Sequence, residues 1–164
     1  MANIKLVRID FRLIHGQIVN KWIKAIHANK IIVINDALRN DDFMADIYIM
    51  AAPPGVDVEI YSVEEAAKKY VEDQLGSGDV LILFKNVKEA YECYKKGLEI
   101  KELQIGGLGA APGRKVVFGP ITLDKKDADT LLEMEKEGVR VYMHQVPEDP
   151  SAELDKVLSK VSFD

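Results

Sequence analysis

The sequence is almost free of cysteine, with Cys93 alone among 164 residues. One thiol excludes an internal disulfide and a Cys-rich zinc site, and it suits a reducing cytoplasm. No apolar run approaches the roughly 20 residues of a membrane span, and the first residues lack the layout of a signal peptide. The formal net charge of −5 provides no basic field for nucleic acid or anionic lipid. These absences predict a cytoplasmic protein that does not bind nucleic acid.

Signatures of the common nucleotide-binding and hydrolase families are missing as well. The chain has no G-x-x-x-x-G-K-[ST] and no G-x-S-x-G. Residues 107–112 (GLGAAP) come close to G-x-G-x-x-G/A, but they end in proline and lead into a strand instead of a helix. Because dinucleotide binding needs the N-terminus of that helix, we interpret the stretch as a hairpin-like loop whose glycines need positive φ.

Strand and helix signals alternate along the chain without repeats or linkers. Apolar runs predict strands at Ile4–Val7, Ile31–Ile34, Val56–Tyr61, Val80–Phe84, Glu102–Ile105, Lys115–Phe118 and Val139–Gln145. Helical signals lie from Ile14 to Asn29, over Asp41–Ala52, after Ser62, from Val87 to Gly97, over Asp124–Glu137 and around Leu154–Val161. Val80–Phe84 is the most apolar strand, so we expect it in the interior of the sheet.

This alternation predicts a single α/β domain over residues 1–164. We expect one open, mostly parallel, twisted sheet with helices on both faces. Lys115–Phe118 follows a loop too short for a parallel crossover, so we predict that this strand is antiparallel to its neighbour or lies at the edge of the sheet.

Two helices carry more specific expectations. Ser62 and Glu65 have the spacing of a capping box, and the side of that helix predicted to be apolar carries Val63, Ala66, Ala67, Tyr70 and Val71. In the helix over 41–52, Phe43, Ile47 and Met50 recur at helical spacing. They are therefore predicted to form its inner face.

The stretch from Arg8 to Gln17 joins the first strand to the first helix. A helix N-terminus offers unpaired N–H groups and a dipole that favour an anion, and Arg8 and Arg12 favour the same anion through guanidinium geometry. His15 in such a site can accept a phosphoryl group as a nucleophile; the alternative is a histidine that caps the helix. Asp10 either orients the imidazole or pairs with an arginine, and we favour the pairing.

Topology points to the same loop. Open α/β sheets bind ligands beyond the carboxyl ends of strands, where the strand order reverses. If the first and fourth strands are neighbours across that reversal, polar residues from two other strand ends converge on the loop. These residues are Asn35, Asp36, Lys85 and Asn86.

Residues 8–17 (RIDFRLIHGQ) resemble the active-site motif of the IIB subunits in the mannose–fructose–sorbose branch of the bacterial phosphoenolpyruvate-dependent sugar phosphotransferase system. The resemblance covers nearly the whole chain. It includes IVIND at 32–36, APPGV at 52–56, LFKN at 83–86, QIGG at 104–107 and ITLD at 121–124. The first motif is long and specific, and the order of the others agrees with it.

The resemblance implies that His15 accepts a phosphoryl group from the phosphohistidine of a IIA domain. His15 then passes the group to a sugar held by membrane IIC and IID subunits. Arg12 is implied as the main phosphate-stabilising residue, with Arg8 and Asp10 supporting it. The support extends to Gly16, Gln17, Asn35, Asp36, Lys85 and Asn86. The family's phosphohistidine is linked through Nδ1, although the sequence does not show which nitrogen reacts here.

The same resemblance implies an enzyme component without cofactor or metal, located in the cytoplasm at the periphery of its transporter. Self-association into a homo-oligomer is compatible with it. Mannose, fructose, sorbose and amino sugars such as N-acetylgalactosamine are all open, because the membrane subunits select the sugar. The chain departs from its relatives at Phe11, where a polar or acidic residue is common; a partner contact and a variable loop position are both open.

Two other functions compete with the phosphocarrier. One is an α/β module that uses the same loop to bind an anion or nucleotide without chemistry. The other is an interaction protein in which His15 is only a helix cap. The remaining singled-out residues are interpreted as structural or surface positions, namely Trp22, His27, Cys93 and His144.

Overall fold

A computed structural model describes residues 1–163. Its main sheet has seven strands in the order β3-β2-β4-β1-β5-β8-β9. The strands are β1 (Asn3–Asp10), β2 (Lys30–Ile34), β3 (Asp57–Tyr61), β4 (Asp79–Phe84), β5 (Glu102–Gly107), β8 (Arg140–Met143) and β9 (Ala152–Glu153). All neighbours are parallel except β8 and β9. The predicted α/β class is confirmed.

Helices cover both faces of this sheet. They are α1 (Ile23–Ile26), α2 (Asp36–Arg39), α3 (Asp42–Met50), α4 (Val63–Asp73), α5 (Val87–Lys95), α6 (Lys125–Lys136) and α7 (Leu154–Leu158). In β4, Leu81 and Leu83 belong to the core on one face, whereas Ile82 and Phe84 belong to the core on the other. Burial on both faces explains why β4 is a continuous apolar run, as expected for an interior strand.

The strand order reverses beside β1. From β1 the chain moves outward to β2 and β3, returns to β4, and then passes β1 to reach β5. The first and fourth strands pair, with Ile9 opposite Phe84, so the condition on which the placement of the loop depended is met. The carboxyl end of β1, and the loop that follows it, therefore lie at the position where such sheets bind ligands.

The strand at 115–118 is antiparallel to its neighbour, as the first alternative predicted, and it is not an edge of the main sheet. Lys115–Phe118 (β6) pairs with Ile121–Leu123 (β7) in a separate two-stranded sheet. The turn between them is short, so β6 satisfies its backbone locally instead of reaching the main sheet. The antiparallel edge strand of the main sheet is β9, a two-residue strand too short to be recognised from its composition.

The first helix differs from a regular α-helix. Helical structure covers residues 16–26, and Ile18–Trp22 within it is a π-helix. Apolar residues spaced by four drift around an α-helix of 3.6 residues per turn, and a wider π-turn reduces that drift. The helix ends at His27, which adopts φ 56°, and not at Asn29 as expected.

The predicted inner face of α3 is wrong. Phe43, Ile47 and Met50 are exposed, and the side that packs against the core carries Met44, Ala45 and Tyr48. Both sides of this helix are apolar, so its periodicity alone does not determine which one faces the sheet.

The capping box at the start of α4 is confirmed. The Ser62 hydroxyl accepts from the Glu65 N–H, and the Glu65 carboxylate accepts from the Ser62 N–H. Val63, Ala66 and Ala67 are buried as expected, but Val71 is exposed.

Candidate functional site

The loop after β1 is a tight turn built around Asp10. The Leu13 N–H donates to the Asp10 carbonyl at 2.9 Å, and the Arg12 N–H donates to Asp10 Oδ1 at 3.1 Å. Leu13 is buried and adopts φ 56°, a left-handed conformation that costs about 1–2 kcal/mol in a non-glycine residue. The turn brings His15 back toward the carboxylate that precedes it by five residues.

His15 is held through one ring nitrogen. Its Nε2 lies 2.8 Å from Asp10 Oδ2. A carboxylate only accepts hydrogen bonds, so Nε2 carries the proton and Nδ1 carries the lone pair. Nδ1 is buried and has no hydrogen-bond partner within residues 1–163. An unpaired buried acceptor costs about 1–3 kcal/mol, so Nδ1 is a group whose isolation needs an explanation.

Asp10 joins His15 to a buried arginine. Its Oδ2 also accepts from Arg8 Nη2 at 3.0 Å and from Arg8 Nε at 3.3 Å. Burial alone raises the pKa of Asp10, but the hydrogen bond from His15 and the charge of Arg8 outweigh burial and leave that pKa below its usual value. Asp10 is therefore an ionised acceptor, and it performs both roles that were alternatives in the sequence.

Arg8 is completely buried and uses all five of its N–H groups. Besides Asp10, its Nη1 donates to Gln104 Oε1 at 2.5 Å and to the His144 carbonyl at 2.9 Å, and its Nη2 donates to the Gln145 carbonyl at 3.0 Å. Burial lowers the pKa of Arg8, and Asp10 opposes that shift. The expectation that Arg8 and Arg12 face the same anion is therefore corrected: Arg8 supports the site through Asp10.

Arg12 and Phe11 lie on the surface of the loop. Arg12 is exposed, and within the described part of the chain its guanidinium has no hydrogen-bond or ion-pair partner. Phe11 is half-exposed, and its ring lies against the backbone of Gly109. Unlike Arg8, Arg12 therefore has all its donors available to an incoming anion.

Gly16 and Gln17 form the first turn of the helix that follows His15. Their N–H groups have no acceptor inside that helix, as at every helix N-terminus. Gly16 is exposed, and a Cβ there would meet nothing closer than the Asn20 amide at 3.9 Å. The backbone around His15 is thus open to an anion from this side.

The predicted strand-end residues form a separate cluster around buried Glu89. Asn35 Nδ2 and the Asp36 N–H donate to the two Glu89 oxygens at 2.6 and 2.8 Å, and Asn86 accepts from the Glu89 N–H at 2.8 Å. Over residues 1–163, no hydrogen bond or ion pair joins this cluster to His15. Lys85 is exposed beside it.

Comparison with known proteins decides which family has this arrangement. The family model described as "PTS system sorbose subfamily IIB component" matches residues 4–164. The chain belongs to this family. It is a IIB component, and hence a phosphocarrier of the transferase class within the phosphotransferase system.

Individual relatives agree with this assignment. The IIB chain is 37% identical over 160 residues to the sorbose-specific EIIB component of Klebsiella pneumoniae, covering 98% of each protein. It is 29% identical over 162 residues to the fructose-specific EIIB component of Bacillus subtilis, covering 99% of each. The crystal structure of the IIBSor domain of the Klebsiella pneumoniae sorbose permease superimposes with a TM-score of 0.90 at 34% identity, covering 99% of both chains.

Glycines of this IIB component make room for the site, and not in the way the sequence suggested. Gly106, Gly107 and Gly109 do not have positive φ, and only Gly113 in that stretch does. A Cβ on Gly106 would lie 1.8 Å from Arg8 Cζ, and one on Gly107 would lie 3.1 Å from Asp10 Oδ1. The glycines are needed because buried side chains lie against their backbone.

Trp22 and Gln104 are parts of the site that the sequence did not reveal. The Arg8 guanidinium lies 5.3 Å from the centre of the Trp22 ring, and Trp22 Nε1–H donates to the Gln145 carbonyl at 2.9 Å. Gln104 is a polar residue fully buried in the middle of a strand, and that pattern was the available signal. His144 also contributes, through its carbonyl to Arg8 and its ring against Trp22.

Two further observations concern other types of site. Burial raises the pKa of the Cys93 thiol to about 12, which fits a packed residue and not a nucleophile. Across residues 1–163, no group of three or more His, Cys, Asp or Glu side chains is placed to hold a metal ion. None of the helices in that range is long and apolar enough to cross a membrane.

Proposed function

We propose that this IIB component carries its phosphoryl group on Nδ1 of His15. The observation that supports this most strongly is the asymmetry of the ring: Nε2 is bound to Asp10, whereas Nδ1 is buried without a partner. Asp10 fixes the tautomer and the ring orientation, so the Nδ1 lone pair is available for attack. Because Nδ1 is covered in this state, the loop has to shift as the donor docks.

In the transfer, the Nδ1–P bond forms as the P–N bond to the donor phosphohistidine breaks. The Nε2 proton stays in its hydrogen bond to Asp10, and the phosphorylated ring gains positive charge. The adjacent carboxylate stabilises that charge, and buried Arg8 keeps the carboxylate ionised. In the second transfer the O–P bond to a sugar hydroxyl forms as the Nδ1–P bond breaks, the hydroxyl proton leaves to solvent, and His15 returns to its neutral form with the proton on Nε2.

Arg12 is proposed as the side chain that binds the phosphoryl oxygens. It is exposed, and its guanidinium has no other partner in the described residues. The N–H groups of Gly16 and Gln17 supply further donors from the helix N-terminus. Asn35, Asp36 and Asn86 support the site indirectly by fixing nearby helices through Glu89, and Lys85 adds positive charge at that edge of the sheet.

The proposed donor is a phosphorylated IIA domain, and the proposed acceptor is a sugar held by membrane IIC and IID subunits. The activity is that of a protein–phosphohistidine–sugar phosphotransferase. Residues 1–164 would act as one domain in the cytoplasm, docked on the transporter. The sugar belongs to the sorbose, mannose, fructose or N-acetylgalactosamine class. Binding of an anion or nucleotide without chemistry does not account for the isolated Nδ1.

The test is phosphorylation from labelled phosphoenolpyruvate with the general phosphotransfer proteins and a cognate IIA. We expect an acid-labile, base-stable phosphate on the chain and none on His15→Gln. His27→Asn is the matched control, because His27 is exposed and asparagine tolerates its positive φ; it should be labelled normally. Unchanged labelling of His15→Gln, or no label on the wild-type chain, would disprove the proposal.

Arg12→Ala separates phosphate binding from a structural role. With its side chain exposed, the variant should keep the wild-type unfolding transition and lose about tenfold or more in the labelling rate. A variant that unfolds would show instead that Arg12 is structural.

A further inference from the structure

One side of α3 is a continuous apolar surface that nothing in the described chain covers. Phe43, Ile47 and Met50 follow the i, i+4, i+7 spacing of one helix side, and they are 74%, 44% and 81% exposed. The opposite side of the helix, with Met44 and Tyr48, packs against the core. We call the exposed residues the α3 patch.

A helix that is apolar on two sides is normally buried on both. Single exposed apolar side chains are common, but a contiguous row of large ones indicates an interaction surface. The helix itself lies beside the site, because the hydroxyl of Tyr48, on the inner side of α3, lies 3.5 Å from the Arg12 carbonyl oxygen. A partner that covers the patch would therefore contact a helix whose inner side packs against the loop that carries His15.

The charge around the patch limits which partner fits. Asp41, Asp42 and Asp46 belong to this helix and its cap, and residues 40–67 contain no lysine or arginine. This acidic surface repels anionic lipid headgroups. It also opposes a symmetric contact with a second copy, which would bring the same carboxylates together. The complementary surface is an apolar groove with a basic rim.

We propose that the α3 patch docks on the cytoplasmic loops of the membrane subunits that receive the phosphoryl group. This inference rests on the proposed function. Cytoplasmic loops of membrane proteins carry an excess of lysine and arginine, which is the charge that the aspartates of α3 would pair with. The apolar row supplies the buried contact, and the surrounding carboxylates steer the encounter.

The test compares the two transfer steps in one triple variant, Phe43→Gln, Ile47→Gln and Met50→Gln. Glutamine is a good helix former, and all three positions are exposed. We expect labelling of His15 by phospho-IIA to stay within about twofold of wild type. In cytoplasmic-face-out vesicles that carry the IIC and IID subunits, the KM for the phosphorylated chain should rise about tenfold or more.

The matched control is the double variant Val71→Gln and Val116→Gln. These valines are also exposed but lie on α4 and β6, so both transfer steps should stay near the wild-type rates. Asp46→Lys tests the charge argument. It should weaken docking on the vesicles, and the difference from wild type should shrink as salt is added.

Four contrary outcomes would overturn the proposal, and three of them would identify a different partner for the α3 patch. A triple variant slowed mainly in the IIA step assigns the patch to the phosphoryl donor. A wild-type dimer that the triple variant converts to a monomer assigns it to a second copy. Binding of the chain to protein-free phosphatidylglycerol vesicles assigns it to lipid, and two unchanged steps leave the patch without a role in transfer.

If the proposed function fails, the docking proposal can still be tested by itself. A wild-type chain that never becomes labelled removes phosphotransfer, but docking is still measured by co-sedimentation of the unphosphorylated chain with the IIC–IID vesicles. We expect the wild-type chain to co-sediment and the triple variant to remain in the supernatant; equal co-sedimentation of both would overturn the proposal.

Discussion

Asp10 links Arg8 to His15 through its carboxylate. Its carboxylate accepts from Arg8, which is buried, and from His15, the proposed nucleophile. Arg8 therefore influences the histidine without contacting a ligand. Taking either partner from a buried ion pair leaves the other charge uncompensated and costs about 3–5 kcal/mol.

Asp10→Asn should thus lower the free energy of unfolding at neutral pH by about 3 kcal/mol, because Arg8 loses its counter-charge. Urea denaturation measures this change. Asp129→Asn removes an exposed carboxylate and should cost less than about 0.5 kcal/mol. A loss at Asp10 as small as the loss at Asp129 would show that the buried pair is not needed for stability.

Asp10→Asn also tests how the stability of the protein depends on pH. The pKa of Asp10 is lower in the folded protein than its usual value, so the carboxylate stabilises the fold above that usual value. The contribution disappears as the pH falls through the folded pKa. The stability difference between wild type and Asp10→Asn should therefore be largest near neutral pH and shrink in acid; a constant difference would contradict this linkage.

Gly106 shows what a single missing methyl group allows. A Cβ there would overlap the Arg8 guanidinium at 1.8 Å, so Gly106→Ala should destabilise by about 3 kcal/mol or more. Gly16→Ala is the control, since its Cβ would meet nothing closer than the Asn20 amide at 3.9 Å; it should be neutral or slightly stabilising. Thermal unfolding distinguishes the two, and similar midpoints would refute the overlap.

At the scale of elements, Glu89 connects three helix N-termini. Its carboxylate accepts from Asn35, the N-cap of α2, and from Asn86, the N-cap of α5. Asp36, which donates its N–H to Glu89, in turn accepts from the Val63 N–H of α4. The polar residues at the ends of β2 and β4 thus position helices, and their spacing in the sequence does not distinguish this from direct phosphate binding.

Glu89→Ala separates these two roles. It leaves the buried Asn35 amide and the partly buried Asp36 N–H without their acceptor and should cost about 2–3 kcal/mol in unfolding free energy. The labelling rate of His15 in the folded protein should stay within about twofold of wild type. Glu92→Ala, on a more exposed position of α5, controls for helix propensity. A stable variant with a collapsed labelling rate would place this cluster in the phosphate site.

An element was predictable where its sequence pattern is compatible with one arrangement, and it was not predictable where the pattern is compatible with two. β4 has buried residues on both faces, so its continuous run identified it. The α4 capping box could be read from Ser62 and Glu65 alone. In contrast, α3 is apolar on opposite sides, and only packing against the sheet determines which side is inner. The π-helical segment and β9 were not predicted, because a spacing of four also fits a regular α-helix and because β9 has only two residues.

For the whole molecule, the order of the strands explains why the site lies where it does. The alternation of elements predicted a mostly parallel sheet, and the place of the His15 loop followed on the condition that the first and fourth strands pair, which they do. The supports of that loop were not predictable, because they are distant in the chain: Gln104 and His144 are 96 and 136 residues from Arg8. Residues so far apart in the chain come into contact only in the folded sheet.

The most direct measurement is NMR of the phosphorylated protein labelled with ¹⁵N, which reads the coupling between phosphorus and each ring nitrogen of His15. We expect phosphorus on Nδ1, with the Nε2 proton retained and still bonded to Asp10. Phosphorus on Nε2, or on any residue other than His15, would contradict the role that the Asp10–His15 geometry gives to this site.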